Sequence, residues 1–435
     1  MDGDGWADLA GYDRGMVRPR LTFDNDAGTS ILITAGFTAE DRDGGTLASF
    51  RAPDGLPFAE TLDTRHADAG AVGKWFVGRS LVSLRGSFVR NSLDRGFGGA
   101  REDGVRATWF GEASITGTSD RHTWVGGVAF QRDQYDSPSL PRFDFTFSSP
   151  AVFVQDEIRF GPRLTLGGSV RVDRHSEYGI LLSPRASMLA RPSEAWILRA
   201  SFGGGSYAPT PFNEETDETG FSRLRPLSGL RAERATGGAV DATFHRGPVE
   251  ISATAIASRV RRPVQLRAVG PGTVALQNAP EPTRTHGTEL ILRYRHAGFL
   301  VMGTHGWTRS TELDLDTGAR REVPLTPAHF ASLNVVFEKE GVGGVGFESY
   351  YYGRQPLEDD PSLDASRPYL LIGALARRRF GRLLIYVNAE NLLDFRQAKE
   401  ARMVLPARRP DGRWLVDAWA PLDGRVFNAG VRVFF

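Results

Sequence analysis

Three things are scarce in this 435-residue chain, and each scarcity removes a class of protein. There is no cysteine, which excludes a disulfide scaffold and thiolate metal sites and agrees with passage through an oxidising envelope. No run approaches the ~20 apolar residues that a transmembrane helix needs. The 53 Lys and Arg nearly balance the 52 Asp and Glu, so a net charge of +1 leaves no basic excess for nucleic acid as a partner. The first residues, Met1-Asp-Gly-Asp-Gly-Trp6, also lack the basic and apolar regions of a signal peptide. A helical membrane protein is therefore excluded. A membrane β-barrel is not, because alternating strands average to a mildly polar composition.

What the sequence does have is period-two alternation along nearly its whole length. Phe427, Ala429, Val431, Val433 and Phe435 share one face, opposite Asn428, Gly430 and Arg432. Leu164, Leu166, Gly168, Val170 and Val172 oppose Arg163, Thr165, Ser169, Arg171 and Asp173. Trp196, Leu198, Ala200 and Phe202 alternate with Arg199 and Ser201, and Val249, Ile251, Ala253 and Ala255 with Glu250, Ser252 and Thr254. A soluble β-sandwich would give the same pattern. Two further features favour a barrel.

The first is that connections alternate between short and long. Tight turns are expected at Asn25–Ser30, Val77–Leu81, Gly117–His122, Gly161–Arg163, Arg191–Ala195, His245–Val249, His296–Phe299, Glu338–Val342 and Phe380–Arg382. Between them lie long polar segments: Asp41–His66, Asn91–Val105, Tyr135–Pro150, Ala208–Ala235, Pro263–Gly287, Ser310–Pro327, Gln355–Pro368 and Phe395–Gly424. An outer-membrane barrel has this asymmetry, with its turns in the periplasm and its loops outside. The second feature is aromatic placement. Trp124, Phe160, Trp196, Phe244, Phe337 and Phe435 sit beside short turns on the apolar parity, where a headgroup-level girdle belongs.

The alternating runs, starting near Met16–Asn25, number about 19. The fold class read from the sequence is all-β: a transmembrane antiparallel β-barrel of about 19 strands over residues 16–435, with residues 1–15 as the remnant of an external loop. A closed bacterial barrel normally has an even number of strands, so 19 is awkward.

The C-terminal region resembles TonB-dependent outer-membrane receptors. Val387-Asn-Ala-Glu-Asn-Leu-Leu-Asp394 is similar to that family's penultimate-strand signature, which maps onto Asn388, Glu390, Asn391, Leu392 and Asp394. The terminal strand with Val431, Val433 and Phe435 resembles the signal read by the barrel-assembly machinery. Ser206-Tyr-Ala-Pro-Thr-Pro-Phe212, Leu224-Arg-Pro-Leu227 and Leu230-Arg-Ala-Glu-Arg234 resemble its mid-barrel block, and Phe153-Val-Gln-Asp-Glu-Ile-Arg-Phe-Gly-Pro-Arg-Leu-Thr-Leu-Gly-Gly168 a recurrent strand–turn–strand pattern. The resemblance implies a barrel of 22 strands, a plug inside the lumen and a segment that contacts the TonB complex. The plug, that segment and about three strands are missing from this sequence, which is therefore expected to be the plug-less last part of such a barrel.

No cofactor signature and no catalytic constellation is present, so an enzyme is not expected. His286, His296 and His305 are the nearest histidine group, without metal-ligand spacing. Asp2-Gly-Asp4-Gly5 lacks the remaining ligands of a calcium loop. Arg85, Arg171, Arg199, Arg293, Arg295 and Arg432 are expected inside a polar lumen. Ligand determinants are expected in the long loops, with Glu214, Glu215, Asp217, Arg223 and Arg267 as candidate contacts.

The expected function is TonB-dependent uptake of a scarce nutrient, such as a metal chelate, a cobalamin-like cofactor or a glycan. The expected partners are outer-membrane lipid and lipopolysaccharide, the assembly machinery, the TonB complex and the small-molecule ligand. A passive, porin-like channel is the alternative, and an enzyme at the barrel rim a more distant one.

Overall fold

The computed structural model describes residues 5–7, 10–25, 27–47, 50–52, 55–213, 216, 220–358, 360, 362–401, 403–405 and 416–434. Its alternating segments form one antiparallel sheet of 21 strands. β1 (Gly11–Val17) and β2 (Arg20–Asp24) both pair with β3 (Ser30–Gly45), so Arg18-Pro19 only interrupts one stave. Proline has no N–H for the ladder and is tolerated at such a break.

The meander continues through β4 (Ala59–Val77), β5 (Ser80–Phe97), β6 (Ala100–Thr118), β7 (His122–Asp136) and β8 (Phe145–Phe160). It goes on through β9 (Leu164–His175), β10 (Gly179–Ser193), β11 (Trp196–Tyr207), β12 (Glu233–Arg246) and β13 (Val249–Arg261). A separate hairpin, β14 (Val264–Gly270) with β15 (Thr273–Asn278), stands in the next connection. The sheet resumes with β16 (Thr283–His296) and β17 (Phe299–Leu313), to whose end β18 (Arg320–Glu322) adds a three-residue flap. β19 (His329–Lys339), β20 (Gly343–Tyr352), β21 (Tyr369–Phe380), β22 (Leu383–Glu390) and β23 (Val426–Val433) complete it. With β1 and β2 taken as one stave and the β18 flap set aside, the 21 strands are 19 staves. Among the described residues no ladder joins the β1–β2 stave to β23.

All nine expected tight turns lie at one end of the sheet. Gly298 shows the local demand: its φ is +85°, and a Cβ there would lie 2.4 Å from the Glu338 carbonyl oxygen. At the other end the strands outrun the expected boundaries. The 91–105 segment is not a loop: β5 and β6 continue to Phe97 and Ala100 and turn on Gly98-Gly99. Segment 263–287 contains the β14–β15 hairpin, and the first strand begins at Gly11 rather than Met16. Beyond the lipid neither face has to be apolar, so the alternation fades while the ladder persists.

Register fixes the two faces. Trp196, Leu198, Ala200 and Phe202 oppose Phe244, Ala242, Val240 and Gly238 on one side, while Arg199 opposes Asp241 on the other. The apolar side is bare: Val240 and Phe202 are each 61% exposed, Val152 56% and Val128 55%. A contiguous apolar surface of this kind suits lipid and not water. Trp196 and Phe244 meet at 5.1 Å beside the turns, as do Phe299 and Phe337 at 4.6 Å. On β23, Phe427, Val431 and Val433 are exposed on the outward parity. Phe435 lies outside the described residues.

Candidate functional site

Among the described residues a buried apolar cluster lies where the long connections meet the rim of the barrel wall. It comprises Tyr135, Leu140, Phe143, Phe221, Leu224, Val274 and Leu276. Tyr135 has the parity opposite to outward Phe130, so it faces the lumen near the outer rim, where it is 6% exposed. The 137–144 loop is stapled beside it: Ser137 Oγ donates to the Asp103 carbonyl at 2.6 Å and the Ser139 amide to Asp103 Oδ1 at 2.9 Å.

The 208–232 connection then folds inward onto this wall. Tyr178 Oη donates to the Pro209 carbonyl at 2.7 Å, and burial pushes that phenol up to about 12. Phe212 and Phe221 pack on Tyr135 with ring centroids 4.8 and 6.3 Å away. Glu102, at the tip of the β5–β6 hairpin, accepts from the Ser222 amide at 2.7 Å and from Arg95 at 2.8 Å. The Arg95 guanidinium lies 5.3 Å from the Phe221 ring. Burial of Leu224 and Phe221 supplies about 2 kcal/mol each, and breaking the buried Arg95–Glu102 pair would cost about 3–5 kcal/mol.

This connection reaches the hairpin as well. Leu224 forms a parallel bridge with Val274, whose carbonyl accepts from the Arg225 amide at 2.9 Å. The hairpin in turn is tied to the β17–β18 flap by Gln265 on Glu312 and Arg267 on Asp316, both at 3.0 Å. Arg321 bridges Glu312 at 3.0 Å and Glu358 at 2.8 Å. Burial works against the Arg321 charge, but Glu358 and Glu312 outweigh it and raise its pKa. Six connections thus form one canopy at the mouth.

Two of the five candidate contacts fall on this canopy. Arg223 and Arg267 are brought to the two strands of the hairpin, Arg223 through its carbonyl on the Val274 amide at 3.0 Å. Arg267 is ion-paired, whereas Arg223, Arg225 and Arg231 have no carboxylate partner among the described residues. Glu214, Glu215 and Asp217 lie outside the described residues, as does Asp2-Gly-Asp4. The carboxylates of 312–316 are engaged by arginines and glutamine. Among the described residues, no group of three His, Asp or Glu has metal-binding geometry.

The signature residues build a clamp at the foot of the last long connection. Asn391 and Asp394 take positive φ of 46° and 57°. Asn391 Nδ2 donates to the carbonyls of Phe395 at 2.8 Å and Asp423 at 3.1 Å, closing the two ends of the loop on each other. The Leu392 amide donates to the Ile372 carbonyl at 2.9 Å, and Arg425 Nε to the Leu392 carbonyl at 2.9 Å. A hydrogen bond from Lys399 holds the Asp394 carboxyl below the usual range. Inside the barrel, Asn388 donates to Glu390 at 2.6 Å.

Of the expected lumen charges, Arg85 pairs with Glu112, Arg171 with Asp173, Arg199 with Asp241 and, at 3.9 Å, Arg293 with Glu250. Arg295 and Arg432 have no ion-pair partner among the described residues. Sequence spacing missed the closest histidine pair: His329 Nδ1 and His305 Nε2 are 3.3 Å apart on adjacent strands. Only register brings them together, since they lie 24 residues apart in the chain.

The sequence matches the family described as TonB dependent receptor-like, beta-barrel over residues 2–392. No curated protein sequence matches it. Among solved structures, a ferric enterobactin receptor (PfeA) variant of Pseudomonas aeruginosa superposes with a TM-score of 0.75 at 16% identity, covering 100% of this chain and 71% of that one. The ferric-catecholate import receptor Fiu of E. coli K12 gives 0.71 at 14%, covering 99% and 76%. The FrpB iron transporter of Neisseria meningitidis gives 0.73 at 11%, covering 98% and 73%. At these identities the likeness shows the fold alone. Fold and sequence profile agree, and the chain belongs to the TonB-dependent receptor β-barrel family.

Proposed function

We propose that this barrel serves active uptake of an anionic ferric chelate across a bacterial outer membrane, with capture at the canopy and energy delivered through TonB. The observation that carries the ligand class is the trio Arg223, Arg225 and Arg231. Three guanidiniums are carried by the 208–232 connection of the canopy, and none has a carboxylate partner among the described residues. Beside them lie Phe212 and Phe221. Guanidiniums with no described carboxylate partner suit a negatively charged chelate. The structural neighbours described as a ferric enterobactin receptor and a ferric-catecholate import receptor support the same class. A passive pore has no need of a packed connection across its mouth, so the canopy favours gated capture over free diffusion.

The test is a titration of the detergent-solubilised protein with a ferric tris-catecholate chelate, followed by tryptophan fluorescence. Loss of three hydrogen-bonded contacts, each about 1 kcal/mol, predicts that Arg223→Ser/Arg225→Ser/Arg231→Ser weakens binding about 100-fold. The Leu224–Val274 contact is untouched by these changes, so protease resistance of the loop should persist. Equal affinity in the variant and the parent would sink the assignment.

A further inference from the structure

Four arginines form a patch on the outward face of three adjacent strands, at the end away from the tight turns. Arg234 on β12 stands directly opposite Arg261 on β13, and Arg259 on β13 directly opposite Arg284 on β16. Their parity is that of Val240, Ile251 and Leu292, the apolar outward set. Directly opposed residues of an antiparallel pair hold their Cβ atoms about 5 Å apart, and like charges there destabilise the sheet.

Nothing described on the protein offsets this repulsion. All four side chains are exposed, and none has a carboxylate partner among the described residues. Arg234 reaches only the Ile180 carbonyl, at 3.4 Å. Two outward arginines elsewhere on the rim are compensated: Arg65 by Asp41 and Asp63 at 3.0 and 2.8 Å, and Arg132 by the Trp109 ring at 5.8 Å. His286 and Arg309, opposite each other, flank the patch, with Arg309 4.0 Å from Glu322.

Height and relief identify what would compensate it. β13 rises from Val249 beside the tight turn to Arg259. At about 3.3 Å per residue and a tilt of about 40°, Arg259 stands about 25 Å above that turn, at the upper limit of the apolar belt. Directly below, on the same outward face, is a groove of about 920 Å³. Its floor is Ala186, Ala200, Gly238, Ala255 and Ala257, its walls include Phe202 and Val240, and Arg259 closes its top. An anion at the headgroup level joined to an apolar chain would neutralise the arginines and fill the groove together.

We propose that this face seats one outer-leaflet lipid whose headgroup carries two phosphates, with the phosphates on the Arg234/Arg259/Arg261/Arg284 patch and one acyl chain in the groove. The proposal rests on the outer-membrane reading of the barrel. It is tested on the full chain, delipidated in an uncharged detergent, with bisphosphorylated lipid A, its monophosphorylated form, phosphatidylglycerol and inorganic pyrophosphate as separate probes. Native mass spectrometry should show one bisphosphorylated lipid retained, about 10-fold tighter than the monophosphorylated one, and no retention of pyrophosphate. Arg259→Gln/Arg284→Gln should melt at a higher temperature than the parent without lipid, because repulsion is relieved. It should also lose the upward shift that the lipid gives the parent. A heat-modifiable barrel that ignores the lipid, or a variant that retains it equally, overturns the site alone. Equal retention of pyrophosphate overturns the acyl groove. A chain that never becomes heat-modifiable overturns the outer-membrane reading, and the site with it.

Discussion

Replacing residues 210–231 with a short glycine–serine link should abolish chelate binding, an effect beyond about 100-fold, while the barrel still forms. The connection supplies Phe212, Phe221 and Leu224 to the canopy's apolar cluster and carries the three arginines that have no carboxylate partner among the described residues. Its removal takes away the ligand-facing charge and uncovers Tyr135 and Val274, which are 6% and 1% exposed in the intact protein. Glu102 and Arg95 lose the Ser222 amide and the Phe221 ring but keep each other. None of these residues belongs to a ladder below the rim, so heat-modifiable mobility should match the parent. The measurement is an isotherm with radiolabelled ferric chelate on membranes carrying each form. Binding retained within a few-fold would move the capture site elsewhere on the rim.

Leu290→Arg should destabilise the barrel by about 2–4 kcal/mol, and Thr304→Arg by far less. The two positions sit at similar height on adjacent staves but on opposite faces. Leu290 is 48% exposed and faces outward with Leu292, whereas Thr304 pairs with Ile291 on the lumen side. Leu290 stands about 15 Å above the turn at Ala297-Gly298, near the middle of a belt about 25 Å tall. An arginine there must enter hydrocarbon or drag water and headgroups inward, while one at 304 meets the aqueous lumen. Reversible unfolding in urea from phospholipid vesicles reads the difference. Equal costs at both positions would mean that the outward set does not face lipid.

The staves and tight turns were legible because lipid favours the alternation: most outward residues between two headgroup levels are apolar, as in Trp196, Leu198, Ala200 and Phe202. Above the rim that constraint lapses. The 91–105 segment has polar residues on both faces, so its continuing ladder left no periodic signal, although Gly98-Gly99 between Phe97 and Ala100 is a hairpin turn pair that could have marked it. The same holds for Pro271-Gly272 between the alternating Val264, Leu266 and Val274, Leu276. Arg223 and Arg267 could be named as loop residues, but their convergence depends on the Leu224–Val274 bridge. That contact joins positions 50 residues apart, and no local rule anticipates it. The signature from Asn388 to Asp394 was legible as a motif; its work as a clamp across the last connection emerges only from the Asn391 and Leu392 hydrogen bonds.

The most direct test of energised capture is accumulation of a radioiron catecholate chelate by cells that depend on this protein for it. Uptake should be saturable and should stop on adding a protonophore or deleting TonB, while surface binding of the chelate continues. Uptake that rises linearly with chelate concentration and persists without TonB would contradict energised capture and make the barrel a passive channel.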